Sequence, residues 1–340
     1  MKFDDFWYVV ALSTQLKTNT VLQRQVLNEW LVVFRGDDGK AVVLQDRCIH
    51  RNSRLSQGKV CQGKIQCPYH GWVYDRTGKV VAVPSEGENF KINAARRSQK
   101  YDTKEQDGYI YVRLSPQPTE ELAPFTMPFY HQSGWETVRV INRFRNNITN
   151  CAENFIDIPH TASVHPGVFR KARQQKLKMT VERRNGSVFA EYHNETNNLG
   201  WFARFLNHTS QEIKHTDSFH MPNVTSVEYN MGKYRRLFIT SQSIPETDNS
   251  TLVYTDVTYN YGFWNNLARP FVRWTAQYII HQDIIALGIQ WEVIEKYGAH
   301  FTNTPADTIH VFVESIRDRI SRGEDPRKLP DKKVCLEFWV

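Results

Sequence analysis

The sequence predicts an α+β protein in which a small all-β domain precedes a larger domain of antiparallel strands and helices. Three observations predict it. Short apolar runs broken by Gly and Asp fill the region from Leu31 to Leu114, a Pro-rich passage follows, and the rest of the 340 residues runs from alternating strands into two long helical stretches.

Taken in order, Leu31 to Phe34, Ala41 to Leu44, Gly71 to Tyr74, Val80 to Val83 and Tyr109 to Leu114 read as strands, with Asp37-Asp38-Gly39 as a hairpin turn. Pro116, Pro118, Pro124 and Pro128 mark the boundary, so residues 1–118 form the first domain and residues 119–340 the second. Arg145 to Pro159 reads as a helix, and Ser187 to Glu195, Ser226 to Asn230, Arg236 to Ile244 and Thr251 to Tyr261 as strands. A long helix is expected from about Phe271 to Tyr297 and another from about Pro305 to Arg322, where Gly323 supplies the C-terminal cap. Tyr278 to Gln290 is apolar nearly all round, which predicts a buried helix.

Composition excludes several classes. Apolar residues make up 40% and charged residues 23%, and no apolar stretch is long enough to cross a bilayer. The net charge of +7 comes without a block of Lys or Arg, which argues against nucleic acid as a partner. Met1 to Tyr8 carries acids where a secretion signal needs bases, so a cytoplasmic location is expected. Five irregularly spaced cysteines argue against a disulfide framework and leave metal binding as the thing to test.

Cys48-Ile49-His50, then sixteen residues, then Cys67-Pro68-Tyr69-His70-Gly71-Trp72 supplies one Cys and one His from each half. A zinc finger usually takes its cysteines from one segment and its histidines from another. The interleaved order instead suits a [2Fe-2S] cluster with two thiolates on one iron and two imidazoles on the other. A structural zinc site remains the alternative. Cys61, Cys151 and Cys335 have no partner pattern and read as structural thiols.

A second constellation begins at Asn154-Phe155-Ile156-Asp157-Ile158-Pro159-His160 and ends at His165-Pro166. On a helix Asn154, Asp157 and His160 would share one side, and Pro166-Gly167 would end that helix and fold His165 back towards His160. Two His plus one carboxylate leave open positions on Fe(II) for O2 chemistry. The expected carboxylate is Asp283, with Glu292 and Glu295 competing on the same helix.

These two motifs resemble those of the Rieske non-heme iron oxygenases, in particular the terminal components of homotrimeric monooxygenases and O-demethylases. The resemblance spans essentially the whole chain. One departure is Ile49, where the family often has Pro. The resemblance implies a Rieske domain followed by a helix-grip, START-like catalytic domain: an antiparallel sheet curled over a long helix. It implies Cys48, His50, Cys67 and His70 as cluster ligands, Tyr69 supporting the cluster by hydrogen bonding and Trp72 packing against it. His160, His165 and Asp283 would hold a mononuclear Fe(II), with Gln282 and Gln290 part of the segment that supplies the carboxylate. Asp157 would bridge a cluster-ligand His of an adjacent subunit to an iron-ligand His, and Asn154 would sit near the iron.

The same resemblance implies O2 as co-substrate and electrons from NAD(P)H through a separate ferredoxin or flavin reductase, since the chain has no dinucleotide fingerprint. Arg47, Arg51, Arg54, Lys59 and Lys64 would form a basic rim for such a partner, or an ordinary solvated surface. The implied reaction is hydroxylation or oxidative demethylation of a small organic substrate. A ring dihydroxylating dioxygenase, a Rieske electron carrier without oxygenase chemistry and a zinc-stabilised binding protein are the rival readings. Trp201, Phe202, Phe205 and Phe219 would suit a planar or bulky apolar ligand, and Trp274 is a candidate for the pocket wall or for core packing.

Overall fold

The computed structural model describes residues 1–168, 175–193, 213–231 and 235–340. The chain forms two compact units, one of Phe3–Thr126 with Pro245–Thr247, the other of Met1–Lys2, Met127–Ile244 and Asp248–Val340.

The first unit is all β apart from short 3-10 turns. Strands β1 (Tyr8–Leu12), β2 (Leu22–Val26), β3 (Glu29–Arg35), β4 (Ala41–Gln45), β9 (Lys100–Gln106) and β10 (Tyr109–Arg113) form a six-stranded sheet in the order β1-β10-β9-β4-β3-β2. The run Leu31 to Phe34 is buried on both faces, which explains why it reads as a continuous apolar stretch. Residues 36–40 turn β3 into β4, with Gly39 at φ 75° and Gly36 N–H donating to the Lys40 carbonyl. A second sheet, β5 (Lys59–Cys61), β6 (Lys64–Gln66), β7 (Val73–Tyr74) and β8 (Val80–Ala82), is a four-stranded meander. Val32, Phe34, Leu44, Leu55, Ile65, Tyr74 and Val80 join Cys48 and Cys67 in one buried cluster.

The second unit is built on an eight-stranded antiparallel sheet of order β11-β17-β16-β15-β14-β13-β12-β18. Its strands are β11 (Glu136–Phe144), β12 (Lys176–Arg184), β13 (Ser187–His193), β14 (Lys214–His220), β15 (Val224–Asn230), β16 (Arg236–Thr247), β17 (Ser250–Asn260) and β18 (Lys332–Trp339). Among the described residues the unit also holds helices α1 (Ile148–Asn154), α2 (His160–Ser163), α3 (Asn265–Tyr297) and α4 (Thr308–Ser321). The long α3 packs on β11 and β17, burying Ala268, Val272, Ile280 and Leu287 against Val138, Val140, Phe144, Val253 and Val257. Helix α4 starts behind a capping box of Thr304 and Asp307, and Gly323 follows it at φ 77°. Among the described residues no helix is long and apolar enough to cross a membrane.

Three expectations are corrected. Arg145 to Pro159 is not one helix. Asn147 caps α1 by accepting from Asn150 N–H, α1 ends at Asn154, and Pro159 disfavours helical geometry at Ile158 before α2 begins at His160. Helix α3 is not buried all round: Tyr278, Ile285, Ile289 and Val293 are exposed on its outer face. Trp274 lies nine residues from Asp283, about half a turn round the helix, so it neither lines the pocket nor enters the core; it is exposed and stacks on Tyr278 at 5.7 Å. The expected strand end at Glu195, and Trp201, Phe202 and Phe205, lie outside the described residues.

Candidate functional site

In the first unit, the loops before β5 and between β6 and β7 bring the first motif together. Cys48 N–H donates to the Ser53 carbonyl and Asn52 N–H to that of Cys48, while Cys67 N–H meets the Trp72 carbonyl and Gly71 N–H that of Cys67. Both loops are thus closed by their own backbone. Gly71 stands at φ 71°, and a Cβ there would meet Pro84 Cγ at 2.9 Å, so the second loop needs glycine. Cys48 and Cys67 are buried, whereas His70 is exposed and His50 half-buried. The His50 and His70 rings lie 4.6 Å apart, and Trp72 stacks flat on His50 at 4.7 Å.

Two thiols inside and two imidazoles outside is the donor set that a [2Fe-2S] cluster of the Rieske type requires. His50 Nδ1 is a buried nitrogen without a hydrogen-bond partner, as a metal-directed donor atom must be. Burial holds the His50 imidazole below its ordinary pKa, with His70 and Arg51 adding, which favours the neutral form that binds metal. Burial pushes the Cys48 thiol up, and the Tyr74 hydroxyl works against that. Tyr74 is the residue sequence reasoning missed. Its hydroxyl lies 3.1 Å from Cys48 Sγ and accepts from Ile49 N–H at 3.1 Å. Tyr69, expected in that role, is 65% exposed with its ring on His70 at 3.8 Å. The correction follows from chain direction: Tyr69 sits at the loop tip, whereas Tyr74 lies on β7, where alternation turns it into the core.

In the second unit, His160, His165 and Asp283 converge, each offering one ligand atom, with all of these atoms within 4.8 Å of one another. His160 begins α2, His165 follows its end, and Asp283 projects from the buried face of α3. Asp283 Oδ1 is 3.0 Å from His165 Nε2 and 3.6 Å from His160 Nε2, and no hydrogen-bond geometry satisfies it. A buried carboxylate oxygen aimed at two imidazoles fits a divalent cation of the two-His, one-carboxylate kind. Glu292 and Glu295 lie elsewhere and pair with Arg145.

The surrounding contacts fix the geometry. His165 Nδ1 donates to Gln282 Oε1 at 2.8 Å, which leaves Nε2 for the site. Asp157 Oδ2 accepts from His160 N–H at 3.3 Å and lies 3.3 Å from His160 Nδ1, a charge contact outside hydrogen-bond geometry. Burial opposes a charge on His160, but Asp157 and then Asp283 outweigh it and hold the imidazole pKa above its ordinary value. Helix α1 is tied to α3 by buried Asn146, whose Nδ2 donates to the Leu287 carbonyl and to Gln290 Oε1, while its Oδ1 accepts from Asn150. Gln290 is therefore a clamp, not a ligand.

The three candidate ligands open onto a cavity of about 100 Å³ between the sheet and α3. Ile156, Ile158, Val227, Ile239, Val257 and Val272 give it apolar walls, and Asn154 lines it with a buried Nδ2 that has no hydrogen-bond partner. His215 and Asp217 also line it, two residues that sequence reasoning passed over because Lys214 to His220 is too polar to read as a strand. Phe219 is buried but does not line the cavity.

Residues 6–100 match the Rieske [2Fe-2S] domain, and residues 144–311 match the vanillate O-demethylase oxygenase C-terminal domain. The chain belongs to the Rieske oxygenases. Among curated relatives, methylxanthine N1-demethylase NdmA of Pseudomonas putida is 32% identical over 191 residues, covering 53% of each chain. The chloroplastic chlorophyllide a oxygenase of Oryza sativa subsp. japonica is 32% identical over 168 residues, 49% of this chain and 30% of that one. The Rieske oxygenase chain thus spans about half or less of the length of these relatives. Dicamba monooxygenase bound to dicamba superposes with a TM-score of 0.81 at 21% identity, covering 95% of this chain and 98% of that one, which establishes the fold.

Proposed function

We propose that this protein is the terminal oxygenase of a multicomponent system, accepting electrons at a Rieske cluster and activating O2 at a mononuclear non-heme Fe(II) to hydroxylate or oxidatively demethylate a small organic molecule. The observation that carries the reading is the convergence of His160, His165 and Asp283 at the wall of a largely apolar cavity. Two imidazoles and one carboxylate on Fe(II) leave positions for O2 beside a substrate, and that is the chemistry the metal supplies. Residues 1–118 would hold the cluster through Cys48, His50, Cys67 and His70, and residues 119–340 the iron.

The chain's own residues bind and orient. Gln282 fixes the His165 tautomer, Asp157 anchors the backbone of His160 and places its charge beside the ring, and the apolar walls seat the substrate away from bulk water. Electrons would come from NAD(P)H through a ferredoxin or flavin reductase docking on the rim of Arg47, Arg51, Arg54, Lys59 and Lys64, of which all but the half-buried Arg54 are exposed. A homotrimer in the cytoplasm completes the reading, with Asp157 linking cluster and iron across subunits. Among the relatives, the names methylxanthine N1-demethylase and tert-butanol monooxygenase support demethylation or hydroxylation over ring dihydroxylation.

The test is iron and acid-labile sulfide per chain on anaerobically purified protein, with electron paramagnetic resonance after dithionite reduction. Three irons and two sulfides with a Rieske-type signal are expected. Two irons, unchanged on Fe(II) reconstitution, would leave only an electron carrier.

A further inference from the structure

Most inward positions of the sheet carry apolar or hydroxyl side chains, with Met179, Val181, Val188, Ala190, Phe219 and Leu237 buried and Ser241 and Thr255 hydrogen-bonded to each other at 3.0 Å on the cavity wall. Strand β14 breaks that rule at two successive inward positions, His215 and Asp217, each about 2% exposed at the side chain and each on the cavity wall. His215 Nε2 donates to Asp217 Oδ1 at 3.1 Å, and the Tyr192 hydroxyl donates to Asp217 Oδ2 at 2.9 Å. The His215 ring is held between two phenols, Tyr229 at 4.3 Å and Tyr192 at 4.7 Å, which are its register partners on the neighbouring strands. The pair is therefore rigid.

A buried hydrogen-bonded polar pair gains little stability over apolar residues of the same shape, so stability does not explain it. Its position does: it faces the same cavity as His160, His165 and Asp283. Resting on the oxygenase reading above, we propose that His215 and Asp217 are the polar anchor of the substrate site, selecting a small neutral molecule that carries a hydroxyl or N–H group. A carboxylate offers about four lone-pair sites. Asp217 uses one on His215 and one on Tyr192, and a substrate donor takes a further one, leaving the carbon skeleton among Ile156, Val227, Ile239 and Val272. An anionic substrate is disfavoured, because the anchoring group is itself the Asp217 carboxyl and, among the described residues, no Lys or Arg lines the cavity.

The test is calorimetric binding of three probes of similar shape, 4-methylphenol, 4-fluorotoluene and 4-methylbenzoate, to the iron-loaded protein. Wild type is expected to bind 4-methylphenol about tenfold or more tightly than either other probe, the range for a hydrogen bond to a charged group. Asp217→Asn is expected to bring the three within about threefold of one another. Equal or tighter binding of 4-methylbenzoate or 4-fluorotoluene, binding of none of the three, or an unchanged preference in Asp217→Asn overturns the proposal. Should Asp217→Asn fail to fold, the wild-type preference decides alone. Metal content is measured separately, so a chain with two irons that still prefers the phenol would sink the oxygenase reading and leave the anchor standing.

Discussion

His165 and Gln282 are joined by a 2.8 Å hydrogen bond that points His165 Nε2 at Asp283 Oδ1, 3.0 Å away. One residue of α3 thus offers a carboxylate while its neighbour in sequence orients the imidazole opposite. Gln282→Leu is expected to weaken iron retention about tenfold to a hundredfold, the usual cost of losing such a partner. Iron per chain after dialysis against a graded chelator series checks this, with the cluster signal as internal standard.

Asp283→Asn removes the buried charge between the two imidazoles. The expected outcome is a fall from three irons per chain to two, with acid-labile sulfide and the Rieske-type signal unchanged. Loss of sulfide as well would mean that the substitution had unfolded the chain.

Tyr74→Phe deletes the hydroxyl 3.1 Å from Cys48 Sγ. Hydrogen bonds to cluster sulfur raise its potential. One of roughly 1 kcal/mol corresponds to about 40 mV for a one-electron couple, so the variant's midpoint is expected lower by that order. Tyr69→Phe, altering an exposed ring, is expected to leave the midpoint in place. A redox titration of both variants distinguishes them.

Glu153 on α1 has a buried Oε1 without a hydrogen-bond partner, and its carboxyl is pushed up to about 8, by burial first and by Glu314 second. Unfolded, the group titrates near 4.5. Between those values the folded state keeps a proton that the unfolded chain has released, so this group's contribution to stability declines as pH rises through that window, by up to about 1.4 kcal/mol per pH unit. Glu153→Gln is expected to flatten that slope and to stabilise the protein at pH 8 more than at pH 5. Urea unfolding at both pH values reads it, and parallel curves for variant and wild type would contradict it.

The clustered motifs were legible because metal chemistry restricts donors to a few residue types, and little besides a metal centre calls for a Cys-x-His beside a Cys-x-x-His. The two-layer plan was legible because alternation and 3.6-residue periodicity survive without knowledge of the partner. Tyr74, His215 and Asp217 were not, since their roles depend on which strands pair and in what register. The break after Asn154 was signalled by Pro159, yet the regular spacing of Asn154, Asp157 and His160 suggested one helix. Trp274 shows the converse error: its distance from Asp283 along the sequence looked meaningful, while helical geometry puts it on the opposite side.

The candidate ligands of the second centre come from α2 and the residues just past it and from α3, more than a hundred residues apart, with most of the sheet between them. Asp283 is carried to His160 and His165 by the packing of α3 on β11 and β17, so the site depends on that long-range closure. Contacts of this separation form late and slowly. Iron retention in the second unit is therefore expected to report on completed packing of α3, not on the local fold around His160 and His165.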